Sequence, residues 1–173
     1  MRNIEIKASV QDWETINDKA KELSGSEPTT IRQNDTFFKA EKGRLKLRRF
    51  EDGSGELIFY ERPDISGPKL SNYRKANLSA EDCKQIGDVL TESNGVLGTV
   101  EKTRYLYMIG QSRIHIDRVL NLGTFVEIEV VLREDQTPET GQKISEDLME
   151  KLGIKTTDLI SKAYLDLLVA KIQ

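Results

Sequence analysis

Charged and aliphatic residues alternate along several short stretches of this chain. Ile4 and Ile6 alternate with Glu5 and Lys7, and Leu45 and Leu47 with Arg44, Lys46 and Arg48. Ile114 and Ile116 alternate with Arg113, His115 and Asp117. Val126, Ile128 and Val130 alternate with Glu127 and Glu129, and Lys102 and Arg104 also lie two apart. A period of two belongs to a strand, whose successive side chains leave on opposite faces. Each such strand has one ionic and one apolar face.

The whole pattern predicts strands at 2–10, 30–40, 44–50, 56–62, 70–76, 99–109, 112–119 and 124–133. Glu41-Lys42-Gly43, Asp52-Gly53-Ser54-Gly55, Gly110-Gln111 and Asn121-Leu122-Gly123 read as turns between them. Helical spacing of Trp13, Ile16, Ala20 and Leu23 predicts a helix over 11–24. Ser79, with Asp82 three residues on, can cap a helix over 80–92. Two more helices are predicted at 138–152, ending at Gly153, and at 157–170. The fold class is α+β, mainly β, and consecutive strands favour antiparallel pairing. No repeat or linker interrupts residues 1–173, so one domain is expected.

The balance of faces leaves three architectures. With aliphatic faces inward, the strands make a lipid-carrier-like barrel that leaves the helices little apolar surface to pack on. With aliphatic faces outward, helices cover them and the charges line a tunnel. The third arrangement is an open sheet with its ionic face in water. A charged tunnel must be wet, internally paired or filled by a charged ligand, because burying an unpaired ion costs several kcal/mol. Cations and carboxylates together suit a polyphosphate with its metal ions.

Composition narrows the function classes. Among 173 residues, 32% are charged, yet the net charge is only -3, so no basic excess points to nucleic acid. The single cysteine, Cys83, forms no internal disulfide and no cysteine-based zinc site. No apolar stretch approaches the ~20 residues of a membrane span. The start of the chain reads as a strand, not a signal peptide, so a soluble, cytoplasmic protein without a membrane partner is expected.

Several segments in order resemble the CYTH family, the triphosphate tunnel metalloenzymes, and within it the branch of class IV adenylyl cyclases. Asn3-Ile-Glu5-Ile-Lys7 resembles the opening Glu-x-Glu-x-Lys motif. Gln33-Asn34-Asp35-Thr36-Phe37-Phe38, Gly43-Arg44-Leu45-Lys46-Leu47-Arg48 and Leu57-Ile58-Phe59-Tyr60-Glu61-Arg62 resemble the second to fourth strands. Val100-Glu101-Lys102-Thr103-Arg104 resembles the sixth strand, and residues 113–129 are the most specific stretch. Residues 158–168 resemble the family's last helix, so the likeness runs from residue 3 to about 168. It implies an eight-stranded antiparallel β-barrel tunnel with a polar, charged interior and flanking helices.

The resemblance also implies a triphosphate-containing small molecule as substrate, Mg2+ or Mn2+ as cofactor, and a homodimer. Lys46, Arg48, Arg62, Arg74, Lys102, Arg104 and Arg113 are the candidate phosphate ligands, suited by their donors and charge. Glu5, Asp117, Glu127 and Glu129 are the candidate metal ligands, being hard oxygen donors. Glu5 and Lys7 are the candidate catalytic pair. Asp117 has the alternative of pairing with Arg113, and His115 reads as a polar tunnel residue without catalytic duty. Tyr60 and Phe125 read as packing residues and Cys83 as inert. Asn3 departs from the family's Glu and puts a second metal ion in doubt.

Three activities follow. One is hydrolysis of inorganic triphosphate, a nucleoside triphosphate or thiamine triphosphate. The second is cyclisation of ATP to cyclic AMP and pyrophosphate. These differ in where the triphosphate sits and whether a base pocket exists at the tunnel mouth. The third is a nucleotide- or polyphosphate-binding module with weak catalysis.

Overall fold

The computed structural model describes residues 1–172. Eight strands, β1 (Arg2–Ser9), β2 (Thr29–Phe38), β3 (Arg44–Phe50), β4 (Gly55–Glu61), β5 (Lys69–Leu78), β6 (Val96–Ile109), β7 (Ser112–Val119) and β8 (Gly123–Val131), close into a barrel. Every pairing is antiparallel, in the order β1-β5-β4-β3-β2-β6-β7-β8, and β8 closes on β1. Four helices flank it: α1 (Trp13–Ser24), α2 (Ala80–Ser93), α3 (Pro138–Lys151) and α4 (Tyr164–Ile172).

Ionic faces turn inward and aliphatic faces outward. Ile4, Ile6 and Ala8 of β1, Ile114 and Ile116 of β7, and Val126, Ile128 and Val130 of β8 form one outer core. Ile16 and Ala20 of α1 and Leu148 of α3 complete it. Leu47 of β3 and Phe38 of β2 meet Cys83 of α2 in a smaller one. The helices are needed because these apolar faces would otherwise meet water, at about 25 cal/mol per Å². The lipid-carrier and open-sheet arrangements are both excluded.

Local signals set most boundaries. Asp12 caps α1 through Thr15 N at 3.1 Å, and Gly25 ends it with φ 68°. Ser79 and Asp82 form a reciprocal capping box on α2. Most other ends differ from the sequence reading by one or two residues, and three differences bear on the architecture. β6 begins at Val96 instead of 99, and β5 runs on to Leu78. The helix expected over 157–170 is broken. Thr156–Asp158 is a 3₁₀ turn, Leu159 bridges to Ala8, and Ile160 N donates to Lys7 O at 2.9 Å. Pairing with β1 holds this segment extended, so α4 starts only at Tyr164, where Asp166 accepts from Ala163 N at 3.2 Å.

That late start puts α4 over one end of the barrel. Tyr164 and Leu165 pack on Phe37, Val100, Val119 and Phe125, which fill the interior there. Arg44 clamps Asp166 through two contacts of 2.6 and 3.3 Å, and Lys171 Nζ donates to Asn121 O at 2.7 Å. The opposite end is ringed by the β3–β4 and β6–β7 turns.

Gly141 marks the closest approach of α3 to the barrel. A Cβ there would lie 2.6 Å from Leu132 Cδ2 and 2.7 Å from Ile4 Cγ1. Gly141→Val is therefore expected to lower stability by about 1–3 kcal/mol, the usual cost of overpacking. Urea unfolding measures it, and an unchanged midpoint would contradict this packing.

Candidate active site

Alternation along each strand selects which side chains enter the tunnel. β1 sends in Asn3, Glu5 and Lys7; β2 sends Ile31, Gln33, Asp35 and Phe37; β3 sends Lys46, Arg48 and Phe50. They line a cavity of about 250 Å³ with Tyr60, Arg62, Ser71, Tyr73, Lys102, Arg104, Leu106, Arg113, His115, Glu127 and Glu129. Two walls of opposite character face each other.

The cationic wall is built by β2, β3 and β6. Asp35 is its hub. Arg48 donates to Asp35 through Nε at 2.8 Å and Nη2 at 2.9 Å, Lys102 Nζ lies at 3.1 Å and Lys46 Nζ at 3.3 Å. Burial alone would raise the Asp35 pKa, but Arg48, Lys102 and Lys46 hold it well below the ordinary carboxylate range. One carboxylate faces three cations, so positive charge is in excess. Burial first, then Arg48, Arg104 and Lys46 against the opposing pull of Asp35, push Lys102 down to about 7. Burial and Arg48 push Lys46 down to about 8. A bound polyanion would relieve that stress.

The carboxylate wall is built by β1, β7 and β8. Register sets Glu5 opposite Glu129, Lys7 opposite Glu127, and His115 opposite Glu127. Lys7 Nζ lies 3.4 Å from Glu127 Oε2, and Arg113 reaches Glu129 at 2.8 and 3.0 Å. His115 Nδ1 is buried without a hydrogen-bond partner, 3.6 Å from Glu127 Oε1 and 3.8 Å from Glu129 Oε1. Glu127 is buried, yet Lys7, His115 and Arg104 hold its pKa well below the ordinary range. Glu5 differs. Burial, then Glu127 and Glu129, push it up to about 7 although Arg62 and Lys7 oppose. Glu127, Glu129 and the orphaned His115 Nδ1 lie together, with Glu5 across the register from Glu129; Lys7, Arg113 and Arg62 balance part of their charge, and a divalent cation fits such an oxygen-rich set.

Not every residue singled out in the sequence enters the tunnel. Arg74 is exposed on the outer face of β5, because the strand's inward positions are Lys69, Ser71, Tyr73 and Lys75. Asp117 is fully buried behind the cavity, outside the His115–Glu127–Glu129 group, and does not pair with Arg113. Arg104 binds it at 2.8 and 2.7 Å and Tyr164 OH donates to it at 2.8 Å, which leaves its oxygens occupied. Tyr60 lines the cavity, whereas Phe125 packs against Tyr164. His115 groups with Glu127 and Glu129. Arg62 reaches toward Glu5, 3.7 Å away.

Two residues escaped the sequence reading. Asp35 sits in phase with Gln33 and Phe37, so period-two counting along β2 carried the signal. Tyr164 stacks under Lys7, 4.1 Å from ring centre to Nζ, and no strand pattern could announce it, since it arrives from α4.

The Asp117 pairing has a pH consequence. Burial opposes ionisation, but Arg104 brings its pKa from 3.8 down to about 2. A depressed folded-state pKa contributes stability above the unfolded value that is lost as pH falls through the folded one. The contribution is roughly 2 kcal/mol. The stability gap between wild type and Asp117→Asn is expected to be constant above about pH 5 and to narrow by that amount toward pH 2. Urea titrations across this range measure it; a gap independent of pH would contradict the pairing.

Comparison with known proteins agrees with this geometry. Residues 1–164 match the CYTH domain family. The PH1012 protein from Pyrococcus horikoshii OT3 is 26% identical, with 95% of this chain and 98% of that chain covered and a TM-score of 0.83. A putative adenylate cyclase from Vibrio parahaemolyticus is 14% identical over 96% and 97% of the two chains, with a TM-score of 0.78. The putative adenylyl cyclase HpAC1 from Hippeastrum is 17% identical over 98% and 96%, with a TM-score of 0.69. The last two likenesses are of fold. No curated protein matches the sequence. With the closed tunnel barrel, its charged interior and a family match over nearly its whole length, this chain belongs to the CYTH domain family.

Proposed function

We propose that this protein is a metal-dependent hydrolase of triphosphate compounds. The observation that carries the reading is the pair of opposed walls: surplus cations on β2, β3 and β6 across one cavity from surplus carboxylates on β1 and β8. A polyphosphate and a divalent cation together neutralise both. The Hippeastrum protein is described as having a dominant triphosphatase activity, which favours hydrolysis over cyclisation here.

Lys46, Arg48, Lys102 and Arg104 would hold the phosphate oxygens, with Arg62 and Arg113 flanking them. Glu5, Glu127, Glu129 and His115 would hold Mg2+ or Mn2+. When bound, such an ion screens phosphate charge and lowers the pKa of its water. Burial and its carboxylate neighbours push Glu5 up to about 7, and positive charge beside it would favour its ionised form. That makes it the group suited to accept a proton from an attacking water. Lys7 holds Glu127 in place and covers the Tyr164 ring, fixing the floor of the tunnel. Asp35 aligns Arg48 and Lys102 for the ligand.

Purified protein is expected to release orthophosphate from inorganic or organic triphosphate with Mg2+ or Mn2+, and to stop when the metal is chelated. Lys102→Ala or Glu127→Gln is expected to lower kcat/KM by about 100-fold or more, as losses of charge stabilisation do. Arg74→Ala, on the outer face, stays within about two-fold. Cyclic AMP and pyrophosphate as products would reassign the protein as a cyclase. Ligand binding without any product would make it a binding module. Asn3→Glu then tests whether a missing carboxylate is the cause, because turnover should rise with it.

A further inference from the structure

Three lysines of the tunnel sit over aromatic rings. Lys7 Nζ lies 4.1 Å and Lys102 Nζ 5.5 Å from the centre of the Tyr164 ring. Lys46 Nζ lies 5.6 Å from the centre of Phe37 and 5.4 Å from that of Tyr60, which also carries the Arg62 guanidinium at 5.8 Å. A cation within about 6 Å of a ring centre is drawn to the negative face of its π system. Phe37 arrives on β2, Tyr60 on β4 and Tyr164 on α4, and all three line the cavity. Together they floor the end under α4. Phe37 and Tyr164 belong to the apolar plug, and Tyr60 lies opposite Arg44, which clamps Asp166 of α4.

A second observation is how little else holds these lysines. An ammonium group carries three N–H donors. Lys7 has one carboxylate contact, Glu127 at 3.4 Å, and Lys46 and Lys102 share Asp35 at 3.3 and 3.1 Å. Lys69 is a contrast. It is buried, and its Nζ donates to Ile65 O at 2.9 Å and Ile160 O at 3.5 Å. A ring steadies a cation without cancelling its charge or taking up its donors, whereas a carboxylate does both and a carbonyl the second.

We propose that Phe37, Tyr60 and Tyr164 are positioning residues, whose ring faces seat the ammonium groups of Lys7, Lys46 and Lys102 with donors left for phosphate oxygens. The inference rests on the triphosphatase reading and gives α4 a part in it beyond closing the barrel. Tyr164 then has two separable roles: its ring serves Lys7 and Lys102, and its hydroxyl serves Asp117.

The test compares wild type with Tyr164→Leu, Tyr60→Leu, Phe37→Leu, Tyr164→Phe and Tyr60→Phe. Hydrolysis of inorganic triphosphate and ATP is followed with Mn2+, and dissociation constants for inorganic triphosphate are measured without metal. Leucine keeps an apolar side chain but removes the ring. Each leucine variant is expected to lower kcat/KM about 5- to 30-fold, the range of a desolvated cation–π contact. The loss should be equal for both compounds, because the floor acts on phosphate-binding groups alone, and metal-free affinity should fall by a similar factor. Tyr164→Phe and Tyr60→Phe restore the ring and should return activity to within about three-fold of wild type. Tyr164→Phe should nonetheless have a lower urea midpoint, having lost the hydrogen bond to Asp117. Leucine and phenylalanine variants with equal kcat/KM and equal affinity overturn the floor and leave the hydrolase reading standing. Activity that follows the urea midpoint instead of the ring does the same. If wild type hydrolyses neither compound, the hydrolase reading fails and the metal-free dissociation constants decide the floor. Weaker binding in the leucine variants, rescued by phenylalanine, upholds it; equal or absent binding overturns it.

Discussion

Buried charge is the constraint on which the rest of this structure depends. The barrel turns its ionic faces inward, where each unpaired ion would cost several kcal/mol. Two fully buried carboxylates pair with four of the interior cations. Asp35 is shared by Arg48, Lys102 and Lys46, and Asp117 is taken by Arg104 and Tyr164. What remains for a ligand is the charge around them: positive at Lys46 and Lys102, and the carboxylates Glu5, Glu127 and Glu129, each facing one cation in Arg62, Lys7 and Arg113. Structural pairing and ligand binding therefore draw on the same set of side chains.

The outer surface follows from the inner one. Once charges face in, the aliphatic sides of β1, β7 and β8 face out and require α1 and α3. Of the two remaining helices, α2 packs Cys83 on Leu47 and Phe38, and α4 is assigned to an end of the barrel instead of a side. Tyr164 and Leu165 fill that end, and the Tyr164 hydroxyl completes the Asp117 site. The tunnel thereby has one end sealed by an apolar plug and the other framed by hairpin turns. Polarity inside it grades from charged at depth to partly apolar at the mouth, where Ile31, Phe50 and Leu106 stand.

Asn3 is the point at which this chain's tunnel differs in charge from the family pattern it resembles. It is buried, 4% exposed, faces the cavity beside Ser71, and its Oδ1 has no partner. An amide there keeps an acceptor in place without adding to the repulsion among Glu5, Glu127 and Glu129. Burial, and after it the charges of Glu127 and Glu129, already raise Glu5 to about 7. A fourth carboxylate in that corner would deepen it unless a further cation balanced the charge.

Much of this was legible in the sequence. Alternation named the strands and the inward faces of β1, β3, β7 and β8, because period two is a property of the strand itself. Closure into a barrel was legible only as one of three ways to balance the faces, and the family resemblance chose among them. Within the site, Lys46, Arg48, Lys102, Glu127 and Glu129 were found because each stands on a cleanly alternating strand. Arg74 was misplaced because β5 alternates poorly, its Lys69-Leu70-Ser71-Asn72-Tyr73-Arg74 run carrying polar residues on both faces. Asp35 as hub, Asp117 as the partner of Arg104, and Tyr164 beneath Lys7 were decided by tertiary structure alone. Local sequence sets the direction in which a side chain leaves its strand. Which opposite charge it meets depends on register between strands distant in the chain, and on where the last helix comes to rest.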